Sequence, residues 1–228
     1  MIELRNVTYH VKDETGEKDV LDNVSVKLDG RFVALTGPNG GGKTTLIKSI
    51  LGTVPHTGTI TFSPELNIGG KRHIGYMPQQ SDFDRNFPIS VKEVVMSGLQ
   101  SEKGFLHRYN REDKARALEL LEMAGIAEIA DRQIGEISGG QLQRTLLGRA
   151  VISNPDIVVL DEPLSYVDHA FVEQIYGIVA DLAKRSTVML VSHEMTVISE
   201  MANRHWIVDH ALHQCHAAHH YLKTECDR

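Results

Sequence analysis

Gly37-Pro38-Asn39-Gly40-Gly41-Gly42-Lys43-Thr44 follows the apolar run Arg31 to Thr36 and precedes a stretch of helical character that reaches about Leu51. The octet fits G-x-x-x-x-G-K-[ST] between a strand and a helix, which is the context a phosphate-binding loop requires. Glycines reach positive φ without a Cβ clash, so the backbone curls and turns its N–H groups inward at a positive helix end. In such a nest Lys43 is expected to bring a full charge to the β- and γ-phosphates, Thr44 a hydroxyl to Mg²⁺, and Thr45 a further donor to the α-phosphate. A glycine-rich turn with a chance Lys-Thr is the bland alternative, and the placement between strand and helix argues against it. The loop alone does not choose among kinases, GTPases and ATPases, which all meet the same electrostatic problem this way.

Outward from the loop, residues 2 to 9 and 19 to 28 read as strands separated by the polar turn Lys12 to Lys18, and Gly58 to Phe62 and His73 to Met77 read as further strands. From Val91 to about Ile152 the pattern is helical, with Arg111 to Ala124 the clearest amphipathic stretch. Strand signals return at Ile157 to Leu160, Thr187 to Ser192 and Trp206 to Asp209, with helical segments Ala170 to Lys184 and Glu194 to Ala202 between them. Buried apolar strands alternating with helices imply a largely parallel α/β core, and the helical insert near 80 to 140 then forms a subdomain within it.

Composition narrows the function classes. The 228 residues carry a net charge of −6 with both signs spread along the chain, so no basic face advertises nucleic acid and no polybasic run advertises anionic lipid. No apolar run approaches the roughly 18 residues of a membrane-spanning helix. Met1-Ile2-Glu3-Leu4-Arg5 does not begin a secretory signal. The expectation is a soluble cytosolic chain that serves any membrane through partner chains. Cys215 and Cys226 are the only cysteines, which gives no disulfide framework and suits a reducing compartment.

Two further stretches complete the pattern. Ile157-Val158-Val159-Leu160-Asp161-Glu162 is a strand apolar enough to be buried, with two carboxylates where it emerges. Such a strand end beside a phosphate loop is where Mg²⁺ is coordinated, so Asp161 is the expected metal-side carboxylate, the alternative being a solvated strand end. Ser138-Gly139-Gly140-Gln141 begins a helix, and Ser138 is a strong N-cap candidate. The same geometry presents the Ser138 hydroxyl, the glycine N–H groups and a helix dipole to a γ-phosphate. These donors lie on the helical subdomain, distant in sequence from Gly37 to Thr44.

The order and spacing of these elements resemble the ATP-binding cassette (ABC) family, over about residues 1 to 209 and through six motifs. The resemblance implies an α/β fold: a P-loop NTPase (RecA-like) core with an antiparallel β subdomain and an inserted α-helical subdomain. Within a single cassette domain spanning 1–228, residues 1–79 and 155–209 would form the catalytic core with its β subdomain. Residues from about 80 to 154 would form the helical signature subdomain, and 210–228 a His/Cys-rich tail. ATP and Mg²⁺ are the implied ligands, with Gly37 through Thr45 and the tetrad Ser138, Gly139, Gly140 and Gln141 contacting nucleotide. By the same resemblance Glu162 polarises the attacking water. Pro163 and the following Leu164-Ser165-Tyr166-Val167-Asp168 correspond to the D-loop, with Tyr166-Val167 departing from the usual Ser-Ala-Leu-Asp and Asp168 keeping its end. His193, in Leu190-Val191-Ser192-His193-Glu194, matches the switch histidine that bonds the γ-phosphate. Gln79, in Met77-Pro78-Gln79-Gln80, matches the Q-loop glutamine that reaches Mg²⁺ or its water, with Gln80 the neighbouring alternative. Tyr9 matches the aromatic that stacks on adenine, a core position being the other reading.

A stand-alone cassette with no membrane segment is most similar to the ATPase subunit of an importer, since the interval from Thr44 to Ser138 leaves no room for the long coiled coil of DNA-repair cassettes. The implied partners are a second copy of the chain in an ATP-sandwich homodimer, integral-membrane permease subunits and an extracytoplasmic solute-binding protein, with no nucleic acid. The implied location is the cytoplasmic face of the cell membrane. The segment Met77 to Val91 is similar to that of zinc- and manganese-type importer ATPases, in which Asp-x-x-Phe-Pro-Ile/Val-x-Val follows the Q-loop, so a divalent transition metal is the expected cargo. Other small-solute importers and a non-transport switch on a soluble partner are the alternatives. Phe83 and Phe87 either line the groove that receives the permease or pack inside the helical subdomain. The tail, with His205, His210, His213, Cys215, His216, His219, His220 and Cys226, reads either as a metal site or as the family's β-hairpin, since Asp209 to His216 resembles the Asn-His-His-Ile-Cys-Cys stretch of zinc-type cassettes.

Overall fold

Phe32–Thr36 and Ile157–Asp161 are each buried at all five positions, as near-continuous apolar runs must be when both faces of a parallel sheet are covered. A computed structural model describes residues 1–13, 16–66, 73–79, 84–103, 108–164, 169–192 and 202–215. In chain order the strands are β1 (Ile2–Asp13), β2 (Gly16–Leu28), β3 (Phe32–Thr36), β4 (Thr57–Phe62), β5 (Ile74–Met77), β6 (Ile157–Asp161), β7 (Thr187–Val191), β8 (Arg204–Asp209) and β9 (Ala211–Gln214). The α-helices are α1 (Lys43–Leu51), α2 (Val91–Ser97), α3 (Gln100–Lys103), α4 (Arg111–Met123), α5 (Gly139–Val151) and α6 (His169–Ala183). Two units divide the chain, Met1–Gly69 with Met189–Arg228, and Gly70–Val188.

The first unit holds an antiparallel sheet in the order β2-β1-β4. Ile2 pairs with Leu28 on one side and Phe62 on the other, and the side chains of Ile2, Leu4, Val7, Leu21, Val24 and Leu28 are buried. The ladder is interrupted near Asn6 and Asn23, whose φ values of 52° and 45° are tolerated by asparagine. Asn6 Nδ2 donates to Asn23 Oδ1 at 2.8 Å and Asn23 N–H to Thr8 Oγ1 at 2.9 Å, which locks the bulge. Pairing continues to Asp13 opposite Gly16, so Lys12, Asp13 and Gly16 to Lys18, expected as part of a polar turn, enter the ladder instead. A solvated hairpin needs only backbone hydrogen bonds there, and the polarity of its side chains is no obstacle.

The same unit carries strands in the order β7-β3-β8-β9. β3 and β8 are parallel, from Val33 opposite Arg204 to Thr36 opposite Ile207, and β8 and β9 form an antiparallel hairpin turning at His210. This hairpin is the form that the resemblance to zinc-type cassettes implies for the start of the tail.

In the second unit β5 and β6 are parallel, from Ile74 opposite Ile157 to Met77 opposite Leu160. The helical pattern expected from Val91 to Ile152 is divided into α2 to α5. Ser90, Asn110 and Ser138 each close a capping box at the start of a helix, with Glu93, Asp113 and Gln141 at the third helical position. Asp113 is buried and ion-paired to Lys103, which ties the start of α4 to α3. Helix α5 buries Leu142, Gln143, Leu146, Leu147 and Ala150. The helix expected at Glu194 to Ala202 falls on residues 193–201, outside the described residues.

Candidate nucleotide site

The phosphate loop lies in the first unit, and close packing explains its glycines. Gly37 has φ +137°, and a Cβ there would lie 2.0 Å from Val208 O. Gly42, which caps α1 at φ +97°, would place a Cβ 2.8 Å from Val20 O and 2.9 Å from Leu21 Cδ2. Only a residue without a Cβ admits both the turn and the neighbouring strands. Pro38, Asn39 and Gly40 are exposed, Gly41 is buried, and Gly41 N–H closes the turn on Pro38 O at 3.1 Å. Lys43 is buried at the first position of α1 and donates its ammonium to Gly37 O at 2.8 Å and Pro38 O at 2.9 Å. The charge is thereby held across the loop it opens, at the positive end of a helix. Thr44 and Thr45 follow, half-buried, in the first turn.

One support of the loop was not legible as such in the sequence. His210, expected to belong to the His/Cys-rich tail, donates its backbone N–H to Gly41 O at 2.9 Å and accepts from Asp22 N–H at 2.8 Å through its carbonyl. Its own φ is 56°, and Nδ1 lies 3.2 Å from Val20 O. The hairpin turn is therefore a buttress between the loop and β2. Its signal in the sequence is a single polar pair, Asp209-His210, between two strands. Tyr9 is half-buried opposite Leu21 on the bulged edge of β1 and is no core residue.

In the second unit Asp161 is buried at the end of β6, and Glu162 follows at φ 52°. That is an uncommon conformation for a side chain with a Cβ and marks a site where tertiary structure overrides local preference. Gln79, just past β5, donates Nε2 to Glu162 Oε2 at 3.0 Å. The glutamine matched to the Q-loop and the glutamate matched to the catalytic carboxylate are thus in direct contact. Gln143, on α5, donates its amide to Glu162 O at 3.0 Å, a contact that motif reading missed.

Ser138 is exposed at the start of α5. Its Oγ accepts from Gln141 N–H at 3.2 Å, and its own N–H donates to Gln141 Oε1 at 2.9 Å. A cleft of about 300 Å³ opens beside them, lined by Gly125, Ile126, Ser138, Gly140, Gln141 and Arg144. Arg144 is held in place by Ala124 O at 3.0 Å. Phe87 is 60% exposed, so it does not pack inside the helical unit.

Asp168, His193, Gln80, Phe83, His216, His219, His220 and Cys226 lie outside the described residues. Among the described residues no group of three or more His, Cys, Asp or Glu is placed to hold a metal ion. Among them also, no helix is long and apolar enough to cross a membrane.

The ABC transporter family model matches residues 21–165, and the chain belongs to that family. The high-affinity zinc uptake system ATP-binding protein ZnuC of Bacillus subtilis is 39% identical over 190 residues, covering 81% of this chain and 82% of that one. The manganese transport system ATP-binding protein MntB of the same organism is 37% identical over 217 residues, covering 91% and 82%. A dimeric ATP-binding cassette in a post-hydrolysis state, bound to ADP and Pi, superposes with a TM-score of 0.78 at 26% identity, covering 92% of this chain and 95% of that one.

Proposed function

We propose that this chain is the ATP-hydrolysing subunit of an importer, which closes as a homodimer around ATP and drives a separate membrane permease for a divalent transition metal, zinc or manganese. The observation that carries the ATPase reading is the hydrogen bond from Gln79 Nε2 to Glu162 Oε2 at the mouth of a buried strand. It fixes a carboxylate as an acceptor, which is what a general base toward water must be.

The remaining roles follow from the chemistry of each group. The inward N–H groups from Gly37 to Thr45 and the Lys43 ammonium bind the phosphates. Thr44, Asp161 and Gln79 are the oxygen donors assigned to Mg²⁺, which would neutralise charge on the β- and γ-phosphates. Tyr9 offers its ring to adenine. Glu162 takes a proton from the attacking water, His193 bonds the γ-phosphate, and Asp168 supports the dimer contact. Ser138, Gly139, Gly140 and Gln141 serve the nucleotide held by the second copy. Catalysis of this kind is positioning and charge stabilisation.

The cargo is inferred from the names of the relatives and from the Asp84 to Val91 segment. The system would include permease subunits and an extracytoplasmic solute-binding protein, with the cassette on the cytoplasmic face and no nucleic-acid partner. Glu162→Gln is expected to keep ATP binding and to trap a nucleotide-bound dimer, seen by size-exclusion chromatography with ATP. Turnover at the wild-type rate would overturn the role of Glu162. Purification of the native complex tests the coupling: membrane subunits whose reconstituted vesicles take up labelled zinc or manganese support it, and a soluble partner alone overturns it.

A further inference from the structure

Gln143 has no place in the motif-based reading, yet it occupies a costly position. It is 1% exposed on the inner face of α5, three, four and seven residues before the buried Leu146, Leu147 and Ala150. A leucine or methionine would fill that space without a polar group. The amide instead spends its Nε2 on Glu162 O at 3.0 Å, while no donor among the described residues reaches its buried Oε1. The orientation of the amide is set by this pairing, because the flipped form would point an oxygen at a carbonyl. An orphaned buried acceptor destabilises a fold, so packing does not account for glutamine here.

The bonded carbonyl belongs to the one residue of β6 and its exit that sits at positive φ, Glu162 at 52°. The peptide orientation there determines where the carboxylate leaves the chain. Gln79 holds the carboxylate at one end and Gln143 the backbone at the other. Gln143 also stands on the same helix as Ser138 and Gln141, two residues past the capping box.

We propose that Gln143 is a positioning residue for Glu162, holding its left-handed peptide and so setting the direction of the base, and that the helix beginning at Ser138 is joined to the backbone of this glutamate through the Gln143 amide. The proposal rests on the reading of Glu162 as the general base. It makes α5 more than a platform for the partner's nucleotide, since a shift of the helix moves the base.

The test compares Gln143→Met, which keeps volume and removes the donor, with Glu162→Gln and wild type, by steady-state ATP hydrolysis, ATP titration and ATP-driven dimerisation. The expected result for Gln143→Met is a kcat lowered about tenfold or more with KM for ATP within about twofold, and with dimerisation kept. A merely structural role would move affinity, dimerisation and melting temperature together. Gln143→Asn, whose amide falls one methylene short, is measured alongside and must show the same split if the methionine variant fails to fold. Wild-type kcat in either folded variant, with Glu162→Gln inactive, overturns the positioning role alone. A Glu162→Gln protein that hydrolyses at the wild-type rate overturns the underlying reading as well.

Discussion

Replacing Gly42 with alanine, beside the same change at Gly40, separates two costs that the phosphate loop imposes on its glycines. Gly42 has φ +97° and Gly40 φ +80°. Each alanine is forced into left-handed backbone at about 1–2 kcal/mol, offset by about 0.4–1 kcal/mol because alanine narrows the unfolded ensemble. Beyond that the sites differ. A Cβ at Gly40 meets nothing within 4 Å, whereas one at Gly42 lies 2.8 Å from Val20 O and 2.9 Å from Leu21 Cδ2. Leu21 is fully buried, so it cannot swing away, and overpacking of this kind costs about 1–3 kcal/mol. Gly40→Ala should therefore lose about 0–1.6 kcal/mol and Gly42→Ala about 1–4.6 kcal/mol, the two differing by the overpacking cost of about 1–3 kcal/mol. For a chain of this size each kcal/mol moves the melting temperature by roughly 2–4 °C, so thermal melts followed by circular dichroism resolve the two. ATP titration adds a second reading, because Gly42 directly precedes Lys43 and any shift at the cap displaces the ammonium. Melting temperatures within about 1 °C of each other would refute the steric account of Gly42 and leave only backbone strain.

Other expectations concern the partner contact, adenine and pH. Ser138→Arg should spare ATP binding by the monomer and abolish dimer-dependent hydrolysis; full activity would mean that the composite site is misread. Tyr9→Ala should weaken ATP binding about three- to tenfold, the range of an aromatic stacking contact, as read by calorimetric titration. Glu93 accepts from Ser90 N–H at 2.9 Å and Ser90 Oγ at 2.7 Å, and these bonds hold its carboxyl below the usual glutamate range. A depressed acid contributes stability that is complete above its unfolded pKa and lost as pH falls through the folded one. Glu93→Gln should accordingly show a flatter loss of stability than wild type between about pH 5 and pH 3 in urea unfolding.

Much of the fold was readable because its signals are local. β3 and β6 are unbroken apolar runs, and α5 announces its start with Ser138, whereas the caps Ser90 and Asn110 that divide the helical stretch emerge only in the structure. The hairpin end at Asp13 and Gly16 was not readable, because polar side chains on a solvated ladder look like a turn. The part that His210 plays beside the phosphate loop was not readable for a related reason. Its contribution is made by backbone N–H and C=O to Gly41 and Asp22, and backbone donors leave no mark on residue identity.

The candidate site divides along the same line. Lys43 could be named from the phosphate-loop pattern and Asp161 from the end of an apolar strand, whereas Glu162 was named by resemblance to the family, since carboxylates at a strand end are also common as solvated residues. What the motif could not express is the conformation of Glu162, whose φ of 52° depends on Gln79 and Gln143, far away in the chain. Left-handed backbone in such a residue costs on the order of 1–3 kcal/mol and persists only where neighbours enforce it. The enforcing residue did leave a trace: in α5 the core-facing positions read Gln143, Leu146, Leu147 and Ala150, and the first of them is polar where the helical period calls for an apolar side chain. A polar residue on the buried stripe of a helix next to a candidate catalytic strand is therefore the feature that sequence reading should follow, because the fold tolerates its desolvation only in return for a hydrogen bond made elsewhere.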